Sequence, residues 1–122
     1  MPHVSFNYID RGDPLDYDFT KDDFIADAQW HDLDLSSIVP EGATLIHIRV
    51  RLSCFDLAGL QFRKKGNTNI INTAIMKIQV ANIFYYEDFL VACDSSRKIQ
   101  YLSSNVTWNN LDLTIRGWFT NK

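Results

Sequence analysis

Between Ile46 and Cys54 the chain alternates apolar and polar residues without a break. Ile46, Ile48, Val50, Leu52 and Cys54 form one set; His47, Arg49, Arg51 and Ser53 form the other. A period of two places the sets on opposite faces of a strand. A helix would spread Arg49, Val50 and Arg51 around its circumference, so it fits this run poorly. A strand with one apolar face must be covered by a second layer. The pattern therefore commits the chain to a layered β architecture.

The rest of the sequence repeats the signal in shorter pieces. Trp30, Leu33 and Leu35 precede a break at Pro40-Glu41-Gly42, and Leu60 to Arg63 alternate before Lys64-Lys65-Gly66-Asn67. Met76, Ile78 and Val80 alternate with Lys77 and Gln79. Glu87-Asp88 reads as a turn or bulge ahead of a strand from Phe89 to Cys93, and Asp94-Ser95-Ser96 as a tight turn into Lys98 to Tyr101. In the last strand Leu111, Leu113, Ile115 and Phe119 are expected on one side, with Asp112, Thr114, Arg116 and Trp118 on the other. Seven to eight short strands with turn signals between them, and no long helical pattern, predict an all-β fold. The predicted form is an antiparallel two-sheet β-sandwich, jelly-roll-like, with an extended N-terminal arm.

The 122 residues suit one domain. Within it, residues 1–28 are expected to form an acidic arm and residues 29–122 the sandwich. Residues 1–43 hold ten acidic and two basic side chains, a net of −8, and the remainder five acidic and ten basic, a net of +5. This split suggests that the head lies on the basic body, either of its own subunit or of a neighbour, or else that the chain has two solvated faces of different composition. The arm carries Phe6, Tyr8, Leu15, Tyr17, Phe19, Phe24 and Ile25, apolar surface that needs cover. Overall the net charge of −3 gives no support to nucleic-acid binding.

Few motifs point to chemistry. Cys54 and Cys93 belong to no CxxC or Cys/His ladder and read as buried thiols, with a disulfide as the minority reading. Asp16, Asp18, Thr20, Asp22 and Asp27 match the oxygen positions of a calcium loop. Lys21, however, stands where the template demands glycine and Asp27 where it demands glutamate, so a solvated acidic loop is expected and no metal. Arg11-Gly12-Asp13 is the tripeptide integrins read, and Asn105-Val106-Thr107 is a glycosylation acceptor. Neither is accompanied by a secretion signal, and both read as coincidence. His3, His31 and His47 do not have metal-ligand spacing. No nucleophile elbow, zinc-protease helix or phosphate loop is present, and no cofactor is expected. MPHVSFNYID lacks a signal-peptide pattern and no apolar run is long enough to span a bilayer. The expected location is the virion or the cytoplasm of the producing cell, with no membrane partner.

Four stretches carry a resemblance: Trp30 to Ala43 (WHDLDLSSIVPEGA), Lys64 to Asn67 (KKGN), Asp94 to Tyr101 (DSSRKIQY) and Leu113 to Trp118 (LTIRGW). Over residues 30 to 119 the chain resembles small jelly-roll domains of phage and virus-like structural proteins, often found near tail-fibre or receptor-binding modules. That resemblance implies a homotrimer and offers no catalytic set. The functional expectation is a non-enzymatic structural or assembly module that self-associates, with host attachment as a candidate role. Its interface is expected at His47, Arg49 and Arg51 and at the arm residues Tyr17, Phe19 and Phe24. The alternative is a monomeric carbohydrate-binding module using an aromatic platform of Tyr85, Tyr86, Trp108 and Trp118, with a glycan or host surface receptor as partner.

Overall fold

A computed structural model describes residues 7–120. Eight strands follow one another: β1 (Asn7–Asp10), β2 (Trp30–Asp34), β3 (Ala43–Cys54), β4 (Gly59–Lys64), β5 (Ala74–Lys77), β6 (Tyr85–Ala92), β7 (Lys98–Ser103) and β8 (Trp108–Thr120). Two single 3-10 turns, Lys21–Asp23 and Ile70–Asn72, interrupt the connections. Among the described residues no helix is long and apolar enough to cross a membrane.

The pairing is nested. β1 pairs β8, β2 pairs β7, β3 pairs β6 and β4 pairs β5, all antiparallel, so the chain runs as one long folded ribbon. Two further pairings, β3 with β8 and β4 with β7, roll that ribbon into two sheets. The sheet orders are β1-β8-β3-β6 and β2-β7-β4-β5. Two four-stranded sheets with this connectivity make a jelly roll, the all-β sandwich the alternation predicts.

The core lies between the sheets and is built from the predicted faces. Ile46, Ile48, Val50, Leu52 and Cys54 are wholly buried, facing Leu60, Phe62 and Ile99 of the second sheet. Turn chemistry supports the register. Gly66 has φ +102 at the third position of a turn closed by Asn67 N–H donating to the Lys64 carbonyl, a geometry that favours glycine. Asp94 Oδ1 accepts from the Ser96 and Lys98 amides and so fixes the β6–β7 turn.

The structure corrects several expectations. Glu87 and Asp88 do not turn. β6 runs straight through them, because Asp88 lies opposite Arg49 and Glu87 opposite Val50 on β3. β5 stops at Lys77; Ile78 then donates its N–H to Ala58, and Val80 is exposed. In β8 the alternation reverses. The ladder with β3 shifts register between His47 and Ile48, placing Trp118 opposite Ile46 and Phe119 opposite Leu45. This one-residue bulge turns Trp118 inward and Phe119 outward, the reverse of an unbroken period of two.

The first residues of the described chain are stitched to β8. Beyond β1, Arg11 N–H donates to the Arg116 carbonyl, and the Arg11 guanidinium reaches both the Ile115 carbonyl and Asp18. Asp18 accepts the Ile115 N–H at 2.7 Å, and Phe19 exchanges backbone hydrogen bonds with Leu113. The acidic segment thus lies on the body of its own subunit through backbone pairing. Among the described residues, the one ion pair from the acids of residues 1–43 to the basic remainder is Asp32 with Lys65.

Both thiols are free and buried at opposite ends of β3. Cys54 ends that strand, and Cys93 donates to the Ala43 carbonyl at its start. About 3.3 Å per residue separates them by roughly 35 Å, far beyond the ~7 Å between Cα atoms that a disulfide tolerates. Burial pushes the Cys93 thiol up from its ordinary value, suppressing the reactive thiolate. Ellman's reagent should therefore find almost no fast-reacting thiol in the native chain and two after denaturation. A prompt native reaction would contradict this packing.

Candidate interaction surface

Outward residues of β3 form a row across the exposed face of the first sheet. His47 lies opposite Leu90 and Gly117, Arg49 opposite Asp88 and Thr114, and Arg51 opposite Tyr86 and Asp112. The three residues expected at an oligomer contact therefore do share one open face. Their partners differ, and the differences divide that face in two.

The upper half is polar. Tyr8 and His47 Nδ1 are 3.1 Å apart, and His47 Nε2 is 2.9 Å from Asp88 Oδ2, which also accepts from Arg116 at 3.3 Å. One carboxylate on β6 thereby holds groups from β3 and β8, and His47 links β1 to it. Gly117 makes this possible. A Cβ there would fall within 3 Å of the Tyr8 hydroxyl and the Ile9 carbonyl, so only a glycine lets Tyr8 lie across β8 toward His47.

The lower half is aromatic. Arg51 is anchored by two hydrogen bonds to Asp112 Oδ2, at 2.8 and 3.0 Å. Its guanidinium carbon sits 4.8 Å from the centre of the Tyr17 ring and 5.0 Å from that of Phe84. Phe84 and Tyr86 lie 6.3 Å apart, and Arg49 stands 5.4 Å from the Tyr86 ring centre. Phe84 and Tyr86 remain half exposed, at 50% and 52%. The surface continues into two adjacent loops. Asn82 N–H donates to the Cys54 carbonyl and Ile78 N–H to Ala58, which brings exposed Val80 and Ile83 beside exposed Phe55 and Leu57.

Other expected site residues go elsewhere. Phe24 is buried against Tyr101 at 4.8 Å, and Phe19 packs partly buried against Phe24 at 6.4 Å. The apolar surface of the arm that these two carry packs against the chain's own core. The four residues of the expected platform do not share one surface. Trp108 is 4% exposed and spends its indole N–H on Ser103. Trp118 faces the core across the bulge, and the Tyr85 hydroxyl accepts the Gln79 and Val80 amides. Tyr86 alone of the four stands out from the sheet. Phe84 belongs to the surface and was not singled out in the sequence, where it sits in a run with no settled period.

Among the described residues no group of three or more His, Cys, Asp or Glu is placed to hold a metal. Within the calcium-like run, Asp18 is committed to Arg11 and Ile115, and Asp27 to His31 and Gln29. Arg11 of the Arg-Gly-Asp tripeptide is likewise turned onto Asp18. His3 and Phe6 lie outside the described residues.

The outer face of the second sheet carries a polar ladder. Arg63 donates to Gln100, Gln100 to Asp32 and Lys65 to Asp32, while Arg63 covers the Trp30 ring at 3.9 Å. These hydrogen bonds, from Lys65 first and then Gln100, hold Asp32 below the usual carboxylate range.

The fold defines an eight-stranded jelly-roll domain with one face bearing a polar ladder and one face bearing an arginine–aromatic cluster. No protein-family model, curated protein or solved structure matches the chain.

Two outcomes follow from this geometry. Gly117→Ala should destabilise the domain by about 1–3 kcal/mol, since an added methyl group must displace Tyr8 and the Ile9 backbone; the midpoint of urea unfolding measures it. Asp32 has a folded-state pKa below its unfolded value, so its stabilisation is present above the unfolded value and is lost as pH falls through the folded one. The melting-temperature gap between wild type and Asp32→Asn should thus be present near neutral pH and close below about pH 4. A gap that persists in acid would place the effect outside this carboxylate.

Proposed function

We propose that this chain is a non-enzymatic structural and assembly module of the phage or virus-like jelly-roll kind, which self-associates through the arginine–aromatic half of its first sheet. The observation that carries the reading is the cluster of Tyr17, Arg51, Phe84, Tyr86 and Arg49 on an open sheet face. Tyr, Phe and Arg are the residues enriched at protein interfaces, and they dominate the energetics when a partner excludes water from them. Bordering the cluster, Phe55, Leu57, Val80 and Ile83 extend an apolar surface of a kind that monomers seldom leave uncovered. Arg51 is already oriented by Asp112, so little side-chain freedom is lost on docking.

The trimer implied by the family resemblance is the proposed state, with host attachment as its setting. Light scattering on the purified chain should return about three times the 14.1 kDa of one protomer. Phe84→Ser combined with Tyr86→Ser should shift that mass to the monomer without lowering the melting temperature of the fold, because both rings are half exposed. A wild-type monomer at high concentration would overturn the proposal. An assembly that survives the double change would remove this surface from it.

A further inference from the structure

The polar half of the same sheet face borders a groove of about 460 Å³, a size typical of small-ligand sites. Arg49, Thr114 and Arg116 of β3 and β8 form one wall. Tyr8 and Asp10 of β1, with Asp13 just beyond, form the other. We infer that this groove binds an acidic saccharide, its carboxylate on Arg49 and Arg116 and its hydroxyls on Asp10 and Asp13.

The argument starts from unspent donors. Arg49 makes no hydrogen bond to any described residue; its nearest carboxylate, Asp88, is 4.0 Å away. Arg116 gives a single bond of 3.3 Å to that same Asp88. Two permanent cations thus share one carboxylate, which also accepts from His47. A positive charge is left over on this wall, and both guanidinium groups are nearly half exposed, at 46% and 45%. Planar guanidinium forks match carboxylates in a bidentate way. Thr114, directly opposite Arg49 in register, adds a hydroxyl with no partner among the described residues, and the Tyr8 hydroxyl stands at the rim.

The opposite lip decides between kinds of anion. Asp13 has no partner among the described residues, and Asp10 spends only Oδ1, on the Gly12 amide. Two carboxylates there repel a bare phosphate or sulfate, and they accept hydrogen bonds from neutral hydroxyls. A ligand carrying one carboxylate beside several hydroxyls satisfies both walls. The groove is open, so a sugar can enter as the end of a longer chain. Arg49 is shared with the assembly surface through its contact with Tyr86, but the groove residues Arg116, Thr114, Asp10 and Asp13 are separate from Phe84 and Tyr86, and the readout is binding rather than mass, so the two proposals fail separately.

The test is calorimetry and ligand-observed NMR on the full chain, with 3′-sialyllactose, a glucuronate disaccharide, lactose and inorganic phosphate as probes. At least one acidic sugar should bind, and lactose about tenfold more weakly or not at all. Arg49→Ala and Arg116→Ala should each lose about tenfold or more, and Asp32→Asn on the other sheet should bind as wild type. Because either arginine change could disturb the fold, amide shifts of Thr114 and Gly12 in the wild-type chain give an independent readout. Those shifts should move on titration. Absence of binding by both acidic sugars, equal binding of lactose, or phosphate binding as well as the sugars would each overturn the assignment.

Discussion

The ladder between β3 and β8 is the interaction on which the remaining structure depends. It is the longest pairing in the molecule, running from Ala43 opposite Thr120 to Cys54 opposite Trp108. It joins two strands far apart in sequence and is one of the two pairings that convert a nested ribbon into two sheets. Each inward rung is apolar on both sides: Ile48 with Ile115, Val50 with Leu113, Leu52 with Leu111. Backbone pairing and burial are therefore gained together, and a slip of one residue would turn every one of these side chains to solvent. The free edge of β8 is closed as well. β1 pairs with Gly117 to Thr120, the Arg11 and Asp18 side chains satisfy Ile115, and Phe19 pairs with Leu113. An exposed edge of this length would invite unwanted strand addition, and covering it with the chain's own first segment removes that hazard.

β6 manages its open edge differently. It pairs only with β3, and its outer edge faces solvent. Glu87 lies opposite buried Val50, a position that would otherwise take an apolar side chain, and remains exposed there. A charge on the inward side of an edge strand penalises the addition of a further strand. Of the ways this chain could self-associate, edge-to-edge pairing along β6 is thus disfavoured by its own sequence. Contact through side chains of the sheet face escapes that penalty.

Much of the fold was legible because period two is a local signal. The faces of β3, β4 and β7 follow directly from alternation, and the turns at Gly42, Gly66 and Asp94 from residue type. The misread elements share a cause: a long-range partner overrode local pattern. Glu87-Asp88 looked like a turn in isolation, yet Arg49 and His47 across the ladder hold Asp88 within a strand. Trp118 and Phe119 exchanged faces because of a bulge in the ladder between β3 and β8, next to Gly117, which Tyr8 crosses from more than a hundred positions away. At the candidate surface, His47, Arg49 and Arg51 could be read from the strand, while Phe84 could not, since its neighbour is an arginine on another strand. Phe19 and Phe24 were visible as apolar surface needing cover, but composition does not distinguish the chain's own core from a partner's.

Those same long-range contacts give the first sheet two unlike halves. Near Arg51 the anchoring carboxylate, Asp112, is itself buried, so the charge is neutralised within the sheet and the rings around it present an apolar surface. Near Arg49 the carboxylate within ion-pair reach, Asp88, is exposed and shared with Arg116 and His47, so positive charge remains available to solvent. A guanidinium paired with a dedicated acid favours burial against another protein surface, because the cost of removing the charge from water is already offset inside the sheet. A guanidinium without one favours a ligand that brings its own negative charge. Two arginines two residues apart on one strand thus stand in different electrostatic surroundings because of the acids that the fold sets beside them, and the boundary between those surroundings falls at Tyr86, where the Arg49 guanidinium meets the aromatic cluster.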